Sequence, residues 1–179
     1  MARPGGSHLA RSQPRAVSPG RTIRRFIVRF ALTWTLAYML LVFLPGIESA
    51  VQRATTVSVG LTLRMAQVPV EIRDATLNMD GVTFEVIPEC TSLIASILLL
   101  SAMVSFPTAP RVKALGVVAG LTGLWLYNML RVMVLLGLAV HDPDLFSFIH
   151  LYLSQAVTLV FVWALFVTWL RVAVARAGT

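Results

Sequence analysis

Charge and cysteine are both scarce in this sequence. Only 13% of its 179 residues are charged, and Cys90 is its single cysteine. A soluble domain is about 25% charged, so composition excludes an ordinary water-facing globular fold. One cysteine excludes an internal disulfide, a CxxC redox pair and a zinc–cysteine cluster. Internal repeats are also lacking, which argues against a repeat-built transporter. Apolar residues make up the difference: 57% are hydrophobic and the mean hydropathy is +0.79. The expected fold class is an all-α membrane protein.

Four apolar stretches compare with the roughly 20 residues that a spanning helix needs. They cover about 26–44, 91–106, 112–140 and 148–172, so about four transmembrane helices are expected. Residues 1–25 hold Arg3, Arg11, Arg15, Arg21, Arg24 and Arg25 among Pro, Gly and Ser, the composition of a disordered basic tail. The chain therefore divides into that tail and one multipass membrane domain, 26–179. Between the first and second spans, residues 48–67 suit an amphipathic helix lying on the membrane surface. Val82-Thr83-Phe84-Glu85-Val86 then alternates with period two after Asp80-Gly81, a tight-turn pair. Pairing with 70–79 predicts a β-hairpin.

Charge sets the orientation. With the N-terminus inside, the tail, Arg29, Arg111, Lys113, Arg171 and Arg176 are inner, and only Arg53, Arg64 and Arg73 are outer. All 8 acidic residues (Glu48, Glu71, Asp74, Asp80, Glu85, Glu89, Asp142 and Asp144) fall outside. The basic bias is the positive-inside signal, and it predicts that both termini are cytoplasmic. The first span is read as a retained anchor, because Gly46-Ile47-Glu48-Ser49-Ala50 lacks the small-residue spacing of a cleavage site. Arg24-Arg25 serves as its basic flank rather than as a twin-arginine signal. Basic residues spread as topological flanks do not make a nucleic-acid surface; membrane lipids are the expected surroundings.

Three residues on three spans fall in the outer half of this topology. Cys90 opens the second span, where a helix N-terminus stabilises a thiolate, although a free cysteine also packs simply as a small hydrophobe. Arg131 interrupts an apolar run, at about 2.5–3.5 kcal/mol or more on insertion scales. It either faces the bundle interior together with Asn128, three residues earlier, or snorkels to the headgroups. His150 opens the fourth span, as a base or as an interfacial ring; His141 looks solvated and His8 lies in the tail. Together they supply the parts for acyl transfer: a histidine takes the thiol proton, the thiolate attacks a carbonyl, and an arginine stabilises the developing charge. This chemistry requires no metal and no cofactor.

Glu89-Cys90-Thr91-Ser92-Leu93 before an apolar helix ending at Phe106-Pro107, then Asn128-Met129-Leu130-Arg131-Val132, then His150-Leu151-Tyr152-Leu153-Ser154-Gln155, resembles the exosortase/archaeosortase family over about 82–172. The short length looks most like the compact exosortase H branch. The resemblance implies a multipass cysteine protease/transpeptidase at the outer face of the inner membrane. Its partners would be exported proteins with a C-terminal sorting tail, made of a short motif, a transmembrane helix and a basic cluster. By position, Cys90 would be the nucleophile, Arg131 its thiolate or oxyanion partner and His150 the general base and acid. Asn128, with Thr91 and Ser92 beside the nucleophile, would bind substrate or support them. Ser92 departs from the glycine that many members carry two residues after the cysteine, which bears on substrate fit. The extra helices of eight-span members have no counterpart here.

Other functions use the same parts. A non-catalytic scaffold binding partner transmembrane helices is the main alternative; a small anion carrier and lipid acyl transfer are further ones.

Overall fold

The computed structural model of the protein describes residues 19–44 and 46–176. Helix α1 (Pro19–Phe43) is followed by α2 (Gly46–Met65), strands β1 (Glu71–Arg73), β2 (Thr76–Met79) and β3 (Val82–Glu85), and a 3-10 turn, Pro88–Cys90. Then come α3 (Leu93–Ser105), α4 (Pro110–His141), α5 (Pro143–Phe148), a π-helical turn Ile149–Leu153 and α6 (Ser154–Ala175). Most of the basic tail expected over 1–25 lies outside the described residues. From Pro19, however, the chain is helical, proline being well suited to the first position of a helix.

The chain is an all-α membrane protein with a small sheet. Three helical segments among the described residues are long and apolar enough to cross a membrane: Thr22–Phe43, Pro110–His141 and Pro143–Ala175. Their large side chains point outward, among them Leu32, Leu36, Leu126, Leu130, Val160 and Trp163. Such a surface suits lipid, since monomeric soluble proteins rarely expose wide apolar patches. The second stretch, 91–106, is the shorter apolar helix α3, whose 13 residues reach only about 20 Å at 1.5 Å per residue. It stops at Phe106 because the residue before Pro107 is driven out of α geometry; Phe106 has φ −75° and ψ 133°.

Ring and hydroxyl contacts fix how the helices run. Phe26 near the start of α1 meets Phe106 at the end of α3, and Thr33 Oγ1 lies 3.0 Å from Ser105 Oγ. The Phe106 ring stands edge-on to Trp169 of α6, whose Nε1 donates to the Val112 carbonyl at the start of α4. One end of the bundle therefore gathers the starts of α1 and α4 and the ends of α3 and α6. The start of α3, the end of α4 and the start of α6 lie at the other end, beside the sheet. A side chain at Gly116 would run into the Trp169 ring, so the glycine lets α6 close on α4.

The sheet differs from the expected hairpin. Residues 70–79 do not form one strand: the chain turns at Asp74-Ala75, with Arg73 paired to Thr76, giving a three-stranded antiparallel meander in the order β1-β2-β3. Asp74 takes a left-handed φ of 51°, which the short polar side chain of aspartate tolerates. The second turn is the expected one: Asp80 and Gly81 have φ 52° and 80° between the paired Met79 and Val82. Helix α2 buries Thr55, Thr56, Val59 and Gly60 on one face. A Cβ at Gly60 would meet Ile72, so its absence lets β1 rest on the helix. Leu77 and Phe84 of the sheet and Val86 just after it join Val132, Leu135 and Leu136 of α4 and Cys90 in one apolar core.

Candidate active site

The sheet fixes the approach to Cys90. After β3, the Val86 N–H donates to the Ala75 carbonyl, and Gln52 Nε2 of α2 donates to the Val86 carbonyl at 3.0 Å. Pro88 then starts the 3-10 turn, closed by Cys90 N–H to Ile87 O and Thr91 N–H to Pro88 O. Thr91 Oγ1 also donates to Pro88 O at 2.7 Å, locking the turn, while Ser92 is buried and makes no side-chain cap on α3. Cys90 therefore sits in a rigid turn just ahead of α3, only 1% exposed.

Helix α4 supplies the polar support. Asn128 Nδ2 donates to the Cys90 carbonyl at 3.0 Å, and Asn128 Oδ1 accepts from an Arg131 terminal nitrogen at 3.4 Å. The other terminal nitrogen donates to the Glu89 carbonyl at 3.1 Å. Arg131 is 7% exposed; it faces the bundle interior rather than snorkelling. Its Nε, buried, has no hydrogen-bond partner. Arg131 lies ten residues before His141, about 15 Å from the end of α4, so the cluster is recessed into the bundle.

His150 comes from the π-helical turn ahead of α6. Its ring stacks on Phe146, with centroids 5.3 Å apart and planes at 13°, and Phe146 stands edge-on to Phe84 of β3. The His150 Nδ1 is buried and lacks a hydrogen-bond partner. Cys90 and His150 line one cavity of about 390 Å³, which also runs along β3 and is closed by Ala139 and Phe146. Among the described residues no hydrogen bond joins the two. His141 is exposed, outside this cluster.

Burial pushes the Cys90 thiol above its ordinary value. The Arg131 guanidinium and an Ile87 main-chain hydrogen bond pull it back, and Glu89 pushes it up again. Burial thus favours the protonated thiol, while the fixed positive charge of Arg131 favours its ionisation. No group of three or more His, Cys, Asp and Glu among the described residues is arranged to hold a metal ion.

Gln52 and Phe146 escaped the sequence reading. Phe146 carried a signal, since an aromatic four residues before a histidine shares its helical face. Gln52 carried none, because its partner is a main-chain carbonyl 34 residues away.

A recessed cluster of one thiol, one arginine and one imidazole, at one end of an apolar helical bundle, places this chain among polytopic membrane proteins with a built polar site. The model of the transmembrane exosortase family (Exosortase_EpsH) matches residues 16–173, and the chain belongs to that family. No curated protein and no solved structure matches it.

Proposed function

We propose that the protein is a membrane-embedded cysteine protease/transpeptidase that trims the C-terminal sorting tails of exported proteins at the outer face of the inner membrane. The observation that carries this reading is that Cys90 and His150, from separate elements, line one cavity, while Arg131 is bonded to the Glu89 carbonyl of the Cys90 turn. Membership of the exosortase family supports it. So does the charge distribution: Arg24, Arg25, Arg111, Lys113 and Arg171 all lie toward the bundle end opposite Cys90, and the positive-inside tendency then turns Cys90 outward.

In the proposed reaction His150 removes the Cys90 proton and the thiolate attacks the scissile carbonyl carbon. The Arg131 charge stabilises the thiolate before attack and the oxyanion that forms on it. As the C–N bond breaks, the imidazolium returns its proton to the leaving amine, and a thioester remains on Cys90. Water or an amine acceptor, deprotonated by His150, then attacks the thioester; the acyl group leaves on the acceptor and the thiol is restored. Asn128 positions both the Cys90 turn and Arg131. Both termini are cytoplasmic in this arrangement, and tailed proteins and the surrounding lipids are the partners.

A second reading is favoured by the burial of the Cys90 thiol and by its lack of a hydrogen bond to His150: a scaffold that binds partner helices without cutting them. One comparison separates the two. C-terminal peptides of membrane and secreted proteins are compared between cells carrying the wild type and cells carrying Cys90→Ala at matched expression. A tail trimmed only when Cys90 is present supports the enzyme. Tails unchanged while the variant inserts normally support the scaffold.

A further inference from the structure

We propose that the free edge of β3 holds the substrate: the extended segment ahead of the substrate's membrane helix adds to the sheet as a fourth strand and is led along it to Cys90. The proposal rests on the protease reading above and supplies the way its substrate is recognised.

The first observation is the order β1-β2-β3, which leaves one side of β3 without a neighbouring strand. Register shows which groups face that side. The Val86 N–H points toward β2, where it donates to Ala75 O at 2.8 Å. Main-chain direction alternates along an antiparallel pair, so Val82 and Phe84 also turn their N–H and C=O toward β2. Thr83 and Glu85 turn theirs away, toward the open edge. Exposed edges of this kind are templates for another chain unless they are covered or blunted.

The second observation is the cavity that contains Cys90 and His150. Val82, Thr83, Phe84 and Glu85 all line it. Successive side chains of a strand point to opposite faces, so four consecutive residues share one cavity because the cavity follows the strand's edge. At about 3.3 Å per residue, β3 presents a ledge about 13 Å long, and the chain that leaves it ends at the nucleophile five residues later. The opposite wall, Ala139 and Phe146, is apolar.

The occupant is an extended peptide, because edge pairing uses main-chain groups that every peptide carries and leaves alternate side chains for selection. Side chains on the Phe84 face would meet the half-buried apolar wall; those on the face of Thr83 and Glu85 would stay in water, as these two residues do. A tail that enters the membrane after its motif runs in the same sense as β3, which leads into α3. The added strand is therefore parallel to β3.

The test uses a tailed protein whose trimming is abolished by Cys90→Ala. Thr83→Pro removes an outward N–H while sparing the bonds to β2. Trimming should fall by about tenfold or more, the loss expected for one or two main-chain hydrogen bonds, while Cys90 is labelled by a small thiol reagent at the wild-type rate. A second measurement covers a variant that loses both: Thr83→Cys in a Cys90→Ser background, oxidised with the tailed protein bearing single cysteines at successive positions before its helix. Neighbouring strands hold facing Cα atoms within disulfide range, whereas the next residue on the same face lies about 8 Å away, so crosslinking should peak at one position and fall at those beside it. Full trimming by Thr83→Pro, or crosslinks absent or equal at every position, would overturn the edge while leaving the protease reading intact. If Cys90→Ala itself leaves every tail trimmed, the protease reading falls, and the edge proposal falls with it.

Discussion

Asn128 holds the carbonyl of Cys90 at 3.0 Å with its amide nitrogen and receives Arg131 on its amide oxygen. One side chain thus couples the Cys90 turn to the buried cation. Asn128 is 1% exposed, so truncation leaves buried groups unsatisfied. Asn128→Ala should destabilise the protein by about 1–3 kcal/mol and reduce tail trimming beyond what the lost stability explains. Thermal unfolding in detergent, read beside trimming at a temperature where both proteins are folded, checks this. Wild-type trimming by a folded Asn128→Ala protein would remove the positioning role.

Arg131→Met separates function from stability. Removing the charge relieves its burial cost but leaves the Glu89 carbonyl and Asn128 Oδ1 without their donor, a loss of about 1–3 kcal/mol. The two effects oppose each other, so the variant should still insert and fold, with a modest change in unfolding temperature. Trimming should drop by about 10²–10³-fold, the loss typical of removing one oxyanion donor. A stable Arg131→Met protein that trims normally would reduce Arg131 to a packing element.

The pH dependence of Cys90 labelling follows from its surroundings. Only the thiolate reacts, and burial raises the thiol above its ordinary value more than Arg131 and Ile87 lower it. The folded protein's labelling rate should climb with pH and reach its midpoint above that of the same thiol in the unfolded chain. Removing Arg131 deletes a lowering charge, so Arg131→Met should move the midpoint higher still. Alkylation rates between about pH 7 and 10 measure both. A midpoint at or below that of the unfolded chain contradicts the electrostatics described here.

Hydropathy located the four apolar stretches, and spacing put Asn128 and Arg131 on one face, because both features are local and periodic. The Asp80-Gly81 turn was legible for the same reason. The split of 70–79 into two strands was not: it depends on Asp74 adopting a left-handed conformation that its residue type permits without demanding. Whether Arg131 faced inward or snorkelled depended on Glu89 offering a carbonyl from 42 residues away. The shared cavity of Cys90 and His150 depended on Phe146 and Phe84 meeting edge-on. Such contacts are set by tertiary packing and leave no periodic trace.

Packing at the far end of the bundle gives a prediction independent of chemistry. A side chain at Gly116 would enter the Trp169 ring, which is 7% exposed and donates to Val112. Gly116→Val should cost about 1–3 kcal/mol through overpacking and separate α4 from α6. Combining it with Trp169→Leu should restore part of the loss, because the ring that must move is gone. Unfolding temperatures of the two single variants and the double variant measure the coupling; strict additivity would mean that the two positions do not meet.

His150 offers the sharpest contrast with Arg131. Its imidazole lines the cavity beside Cys90, and its Nδ1 is buried without a partner. Because no hydrogen bond ties it to the thiol before substrate arrives, it has little hold on the resting state. His150→Ala should therefore leave the midpoint of Cys90 labelling close to that of the wild type, whereas Arg131→Met shifts it upward. Trimming should nevertheless fall by about 10²–10⁴-fold, the range that a positioned general base and acid supplies. His150→Gln keeps a side chain for packing on Phe146 but carries no titratable nitrogen, so it should be equally inactive. Trimming retained by the glutamine variant would make His150 a structural ring on Phe146, and the proton would need another carrier.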